Sequence, residues 1–319
     1  MTKKISSAFS LVEISIVVLI IGIIAAGISS GAGMMYDYNL KTARALSKSS
    51  EVTLYPGLVL WLDATAENSV TNASDSYKVE NGNTIKTWID QNQQSVQNNR
   101  FIFTEKASSE GPIFLEKGIN NLPTLYFNFV AGGTVTGDGL FTPYSQQLNP
   151  SEFTIFVVTL ANENTANWET IFMSRDNNSS STWRGFNLYK KNDETKFTFW
   201  TGTGALWTTT TDTTTFSFNT PYILTSVRTG VTSSDNSILY RNGTQTAIST
   251  GAVFAPNNSS SEPSAQFYLG YYPGIGASAQ GYYYDGNISE VIMYNRALKD
   301  HERKSIERYL SQKYKINLS

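Results

Sequence analysis

Catalysis needs groups that hold or move a proton, and this chain is sparing with them. His301 is the sole histidine of 319 residues, and cysteine is absent. That removes a thiolate nucleophile and any disulfide, and it makes a Ser-His-Asp triad or a histidine metal cluster unexpected. His301 falls in the first turn of a predicted surface helix, where a solvated side chain is expected. Two carboxylates facing one cleft are the other route, since such a pair can hydrolyse a glycosidic bond. The apolar strand from Ile288 to Tyr294 carries Glu290 alone, so the chain is expected not to be an enzyme. Aromatic rings are the abundant resource: 18 Tyr, 17 Phe and 6 Trp. Trp168, Trp183, Trp200, Trp207, Tyr271, Tyr272, Tyr282 and Tyr283 include candidates for a stacking surface. Trp183, Trp207, Tyr271 and Tyr272 are the candidate ligand-binding residues among them, for a glycan or a protein. The competing use of such rings is packing in a sheet core. One acid stands out elsewhere: Glu13 sits near the start of an apolar run. Inside a bilayer an ionised carboxylate costs at least ~2.5–3.5 kcal/mol, so it calls for a partner.

Two kinds of element must position these groups. Ile14 to Ile28 is almost wholly apolar, and counted from Phe9 the run reaches the ~20 residues that span a bilayer as a helix. Lys3 and Lys4 precede it without an acid, which predicts a cytoplasmic amino terminus with everything after the helix outside. Tyr36, Leu40, Ala43 and Leu46 recur at helical spacing, so the helix is expected to continue to about Ser50, a rod of ~60 Å. Beyond it the pattern turns to short strands divided by Gly, Asn, Ser and Thr. Leu58–Asp63, Phe153–Leu160, Gly185–Lys190, Lys196–Thr201, Pro221–Arg228 and Asn287–Tyr294 are among them, and Asn242-Gly243 marks a hairpin. Thr208–Thr215 reads as an exposed loop or edge. A final helix is expected over about Asp300 to Tyr314, packed through Ile306 and Leu310, with Asp300 as its cap. The fold class is mainly β: a long N-terminal helix, an antiparallel β-sandwich and a short C-terminal helix. The net charge of −2 and 16% charged residues give no basic field for phosphates, so no nucleic-acid partner is expected.

The order Phe9-Ser10-Leu11-Val12-Glu13 after two lysines resembles the type IV prepilin family, which includes the pseudopilins of type II secretion. The resemblance implies a leader over 1–8, cut by a prepilin peptidase between Ala8 and Phe9, and methylation of the new amine on Phe9. Ala8 departs from the family's usual glycine. Glu13 would neutralise the amine of a neighbouring subunit during assembly, a pairing that lowers the cost of placing both charges in lipid. The remaining parts are a transmembrane and assembly helix over 9–53 and a head over 54–319. The implied partners are the peptidase, other pilin or pseudopilin subunits and the inner membrane, with a periplasmic head or, in a pilus, an extracellular one.

The head resembles laminin-G-like, concanavalin-like domains. Gly57-Leu58-Val59-Leu60-Trp61-Leu62-Asp63, Thr87-Trp88-Ile89-Asp90 and the segment from Tyr284 to Leu298 carry the likeness, which implies a jelly roll of two curved antiparallel sheets. Asp63, Asp90 and Asp285 fall in those segments and are candidate calcium ligands, with turn-forming or capping roles as the alternative. No other cofactor is expected. The leading expectation is a minor type IV pilin or pseudopilin-like structural subunit that displays the sandwich. The alternative is an anchored adhesin that binds glycan or protein, with a glycan-processing enzyme third.

Overall fold

A computed structural model describes residues 11–93, 100–107, 110–130, 136–163, 168–175, 183–191, 193–257, 267–272 and 282–319. Among these, helix α1 covers Leu11–Ser49, and a 3-10 turn at Glu51–Thr53 links it to the strands. The strands are β1 (Leu58–Asp63), β2 (Val70–Asn72), β3 (Ile85–Ile89), β4 (Ile102–Glu105), β5 (Ile113–Leu115), β6 (Thr124–Phe127), β7 (Phe129–Val130), β8 (Thr136–Gly137) and β9 (Leu140–Thr142). They continue as β10 (Phe153–Ala161), β11 (Trp168–Arg175), β12 (Gly185–Lys191), β13 (Lys196–Gly202) and β14 (Trp207–Thr211). The series ends with β15 (Pro221–Arg228), β16 (Ser237–Arg241), β17 (Thr244–Ser249), β18 (Phe267–Leu269) and β19 (Gly286–Tyr294), before helix α2 (Asp300–Tyr314).

Two antiparallel sheets face each other. The first runs β17-β16-β15-β10-β19-β6-β5, with β1 beside β6 on the same edge of β19; the second runs β14-β13-β12-β11-β18-β9-β4-β3-β2. Alternation along each strand drives side chains of both sheets into one core. Phe153, Ile155 and Val157 enter it from β10, Ile288, Val291 and Met293 from β19, Phe186 and Leu188 from β12, and Phe197 and Phe199 from β13. Phe153 and Phe186 meet with ring centroids 4.6 Å apart, and Phe172 and Phe267 at 4.2 Å. Between β16 and β17, Asn242 (φ 49°) and Gly243 (φ 82°) both take the left-handed conformation that a two-residue hairpin demands.

The outer face of the first sheet is closed. Phe156 and Val158 of β10, Ile223 of β15 and Ile292 and Tyr294 of β19 pack under Ile306, Tyr309, Leu310 and Tyr314 of α2, joined by Ala43 of α1 and by Val52. A strand covered on both faces reads as a nearly unbroken apolar run, as Phe-Thr-Ile-Phe-Val-Val-Thr-Leu-Ala in β10 does. A register shift opposite Val158 and Thr159 skips Ser289, which turns Ile288 into the core and Glu290 towards α2. Glu302 caps α2 by accepting the Lys299 N–H at 2.8 Å while also pairing with Arg296. Asp300, the expected cap, pairs instead with Arg303 and Lys304, because it already stands within the helix.

The apolar run expected to span a bilayer lies within α1. No helix among the described residues is long and apolar enough to cross a membrane. Ala8 and Phe9 lie outside the described residues, and so does the side chain of Glu13.

Candidate functional site

With one outer face sealed by helices, the outer face of the second sheet is where β11, β12, β13 and β14 present side chains away from the core. The sequence sets this up by alternation: Asn187, Tyr189 and Lys191 on β12, Thr198 and Trp200 on β13, and Trp207, Thr209 and Thr211 on β14 point outwards. On β11 a register shift between Thr170 and Phe172 resets the alternation, so Trp168, Thr170, Met173 and Arg175 share that outer face. Without it, Arg175 would turn into the apolar core.

Four indoles join across these strands. Trp168 lies 5.3 Å from Trp200, Trp200 5.6 Å from Trp207, and Trp207 5.9 Å from Trp183, as ring centroids. Tyr189 fills the corner, 4.5 Å from Trp200 and 5.2 Å from Trp168. The guanidinium of Arg175 sits 4.7 Å from the Trp183 ring, 5.2 Å from Trp207 and 4.8 Å from Tyr272. Tyr272 in turn stacks on Tyr282, 5.8 Å away with planes only 6° apart. The indoles are half-buried and Tyr282 is 40% exposed, so ring faces and edges reach solvent together. Such an array can hold a flat ligand by dispersion and carry a cation within the same platform. Burial pushes the Tyr272 hydroxyl up to about 12 and Tyr189 higher still, which keeps both neutral.

A second aromatic group continues the face over β18 and β9. Tyr268 and Tyr271 lie 5.1 Å apart, and Tyr271 stacks on Tyr283 at 6.1 Å with Met173 beneath. Lys106 Nζ lies 4.6 Å above the Tyr283 ring while donating to the Tyr283 hydroxyl at 3.0 Å and pairing with Glu110 at 2.7 Å. Burial works against the Lys106 charge, but its bonds to Glu110 and Tyr283 outweigh that and raise its pKa. Trp183, Trp207 and Tyr272 therefore meet around Arg175, whereas Tyr271 belongs to this neighbouring group. Sequence reasoning missed Arg175, which the shift within β11 hides, and also Tyr189 and Asn187, which the regular alternation of β12 places on the same face.

The candidate calcium ligands stand apart from one another in role. Asp63 accepts from Lys313 Nζ at 2.7 Å, from Ser47 Oγ at 2.9 Å and from Thr65. Burial disfavours the Asp63 carboxylate, yet Lys313 overrides it and lowers the pKa. Asp90 Oδ1 accepts from the backbone N–H groups of Trp61 and Asn92, at 2.8 and 2.9 Å, and burial pushes its carboxyl up to about 6. Asp285 accepts from Asn162 at 2.9 Å and Tyr126 at 3.2 Å. Among the described residues no three His, Asp or Glu side chains are grouped to hold a metal ion. His301 is exposed at the start of α2.

Two buried acids do share one partner. Lys313 Nζ lies 2.7 Å from both Asp63 and Glu290, and neither carboxylate is more than 1% exposed. Glu290 also accepts from Trp61 Nε1 at 2.7 Å, Tyr309 at 2.8 Å and Tyr314 at 3.0 Å. Burial raises the Glu290 pKa against the pull of Lys313. Under Trp168, Glu169 and Lys190 form a second fully buried pair at 2.8 Å, with Glu169 pushed up to about 7 by burial.

The sequence pattern of the concanavalin A-like lectin/glucanases superfamily matches residues 133–302, more than half of the chain. No curated protein sequence matches it. Among solved structures, botulinum neurotoxin type C, which depends on interaction with two ganglioside molecules to enter cells, has a TM-score of 0.50 at 13% identity over 80% of this chain. The Trypanosoma rangeli sialidase in complex with sialic acid has a TM-score of 0.44 at 16% identity over 81% of this chain. The sialyllactose-bound CBM40 of the Ruminococcus gnavus IT-sialidase has 0.40 at 17% over 51% of this chain, and 85% of that module is covered. The chain spans 33% of that trypanosomal sialidase and 51% of the neurotoxin chain, and at such identities the likeness is one of fold. These findings correct two expectations. A structural pilin or pseudopilin subunit is displaced as the leading reading, because the matched superfamily is one of lectins and glucanases. The expectation of no enzyme falls with it, since the superfamily joins glucanases to lectins. The jelly-roll resemblance holds: the chain belongs to the concanavalin A-like lectin/glucanases superfamily.

Proposed function

We propose that this chain binds glycans on the outer face of β11 to β14. The observation that carries the reading is the joined platform of Trp168, Trp200, Trp207 and Trp183 with Arg175 set among its rings. Sugar rings present flat C–H faces that pack on indoles, while their hydroxyls need polar groups at the edges. Arg175, set among the same rings, supplies such a group. The superfamily's lectins and the ganglioside dependence of a toxin of like fold support the choice of glycan over protein.

A glycan array probed with the full chain tests this. Trp200→Ala and Trp207→Ala should each weaken binding about fivefold or more, as loss of a stacking ring worth about 1 kcal/mol or more implies. Lys304→Ala, on the far side of the molecule, should bind as wild type. Release of sugar followed in the same wells asks whether bound glycans are also cleaved. Unchanged binding by both tryptophan variants would sink the proposal.

A further inference from the structure

A cavity of about 420 Å³ opens where the end of α1 meets the loop after β1, on the side of the first sheet and away from the indoles. α1 stops at Ser49 and the chain returns into β1 through Glu51–Thr53, which sets the last helical turns against that loop. Arg44 ties the two together: Nε donates to the Thr65 carbonyl at 2.8 Å, and Nη1 pairs with Glu67 at 3.0 Å. Buried Ser47 and Asp63 line the cavity from within, hydrogen-bonded to each other at 2.9 Å. Gln91 and Gln93 line it from the segment after β3. Gln91 Nε2 donates to the Ile89 carbonyl at 2.9 Å, which leaves the amide oxygen as an acceptor. Lys48 and Gln93 are exposed and Arg44 and Gln91 half-buried, so a molecule from solvent reaches all four.

This lining sets the chemistry of a guest. Among the described residues Trp61 and Ala66 alone are apolar in it. An apolar guest would strip water from the remaining groups and leave them unpaired, whereas hydroxyls would replace that water. The charges nearly balance: Glu67 is matched by Arg44, and Asp63 by Lys313 at 2.7 Å. Glu290, which shares Lys313, is not part of the lining, and burial favours its neutral form. Lys48 lines the same cavity and has no ion-pair partner among the described residues. One positive charge is therefore left over, which calls for a single carboxylate. A phosphate dianion would face Glu67 and Asp63 with that one cation to hold it. We infer that this cavity is a second binding site, for a sugar ring bearing one carboxylate, with Lys48 on the carboxylate and Gln91 and Gln93 on the hydroxyls. Its volume falls at the low end of the about 300–1,000 Å³ of small-molecule sites, which fits one ring better than a chain. The site stands apart from the indole platform and does not rest on glycan binding there.

The test titrates the full chain at low salt, by ligand-observed NMR, with sugars that differ only at C6: methyl glucuronide against methyl glucoside, and methyl galacturonide against methyl galactoside. The wild type should prefer the carboxylate member of at least one pair by about fivefold or more, as a charge-assisted hydrogen bond implies. Lys48→Gln should reduce that preference to about twofold or less, and Lys48→Arg should retain most of it. Lys48 is exposed on the last turn of α1, so neither change disturbs the fold. Ala66→Phe, which fills the cavity from its wall, should abolish binding of both members while thermal melting shows a folded chain. Trp200→Ala should leave uronide binding unchanged. Equal affinity for both members of each pair, a preference that survives Lys48→Gln, or binding that persists in folded Ala66→Phe would each overturn the inference. Loss of uronide binding in Trp200→Ala would overturn it too, by moving the carboxylate sugar to the indole platform. A wild-type chain that binds glycans on the array but no uronide would overturn this inference and leave the proposed function standing.

Discussion

The two outer faces of this sandwich begin alike, as alternating side chains on an antiparallel sheet, and end differently. On the first sheet the face is aliphatic and Tyr-rich, and α2 with the end of α1 closes over it. Its buried charges at the centre are paired internally: Lys313 bridges Asp63 and Glu290, and Ser47, Tyr309 and Tyr314 take up remaining bonds. On the second sheet the face between β11 and β14 is built from half-buried indoles, threonines and Asn187, and no helix covers it among the described residues. A face whose charges pair with one another beneath a helix serves stability. A face of half-buried rings with no helix over it leaves its ring faces and edges open to solvent. The difference also makes the helix end part of the head, since Ala43, Ser47 and Val52 are buried against strands and α2.

The largest expected effect tests the sealed face. Lys313→Met leaves two fully buried carboxylates without their cation, and breaking such a cluster from one side costs about 3–5 kcal/mol. Urea denaturation should show that loss. Combining it with Asp63→Asn and Glu290→Gln should recover most of the stability, because no buried charge then remains. Glycan binding per folded molecule should stay at the wild-type value throughout. If Lys313→Met weakened binding without unfolding the chain, the two faces would be coupled and the contrast drawn here would fail.

Much of the first face was legible in the sequence, and much of the second was not. β15 falls on Pro221–Arg228 as its apolar run predicts, the β16–β17 hairpin turns at Asn242-Gly243, and α2 falls on Asp300–Tyr314 with Ile306 and Leu310 buried. The Thr-rich stretch predicted as loop or edge contains β14, the outermost strand of its sheet. The short strands β4, β5 and β9 escaped because three or four residues give too little period to read. The Lys313 cluster escaped for another reason. Its members are 250 and 23 positions apart, and only the skipped Ser289 turns Glu290 towards them. The aromatic candidates were visible as residue types, yet which of them meet was not. The shift within β11 moves Arg175 onto the face of Trp207, and no local signal announces it.

Asp90 offers a smaller test, away from both faces. Its carboxyl is buried, and its pKa rises from 3.8 to about 6. The native state thus holds this proton more tightly than the unfolded chain does. Its contribution is present at low pH, declines as pH rises from about 4 to about 6, and is gone above that range. Oδ1 keeps the bonds from Trp61 and Asn92, while Oδ2 has no donor among the described residues. Asn in this place keeps the acceptor and removes the charge. Asp90→Asn should therefore raise stability at pH 7 by about 2–3 kcal/mol relative to wild type and close that gap towards pH 4. Paired urea titrations at the two pH values measure this; a constant difference between them would mean that burial does not govern this group.

The smallest expected stability change belongs to the open face. Trp168 touches Tyr189 and Trp200 and lies under Lys191 Nζ at 5.1 Å, but its ring is only half-buried. Trp168→Ala removes two aromatic contacts and one cation contact, and exposes little core. The expected loss is about 1–2 kcal/mol in urea denaturation, well below that of Lys313→Met. Against this, glycan affinity should fall by a larger factor than for any substitution on the α2 side, since the ring extends the platform that Trp200 continues. A stability loss equal to that of Lys313→Met would show that the indoles act as core. The second sheet would then be as closed as the first, and the search for a binding face would have to move elsewhere on the molecule.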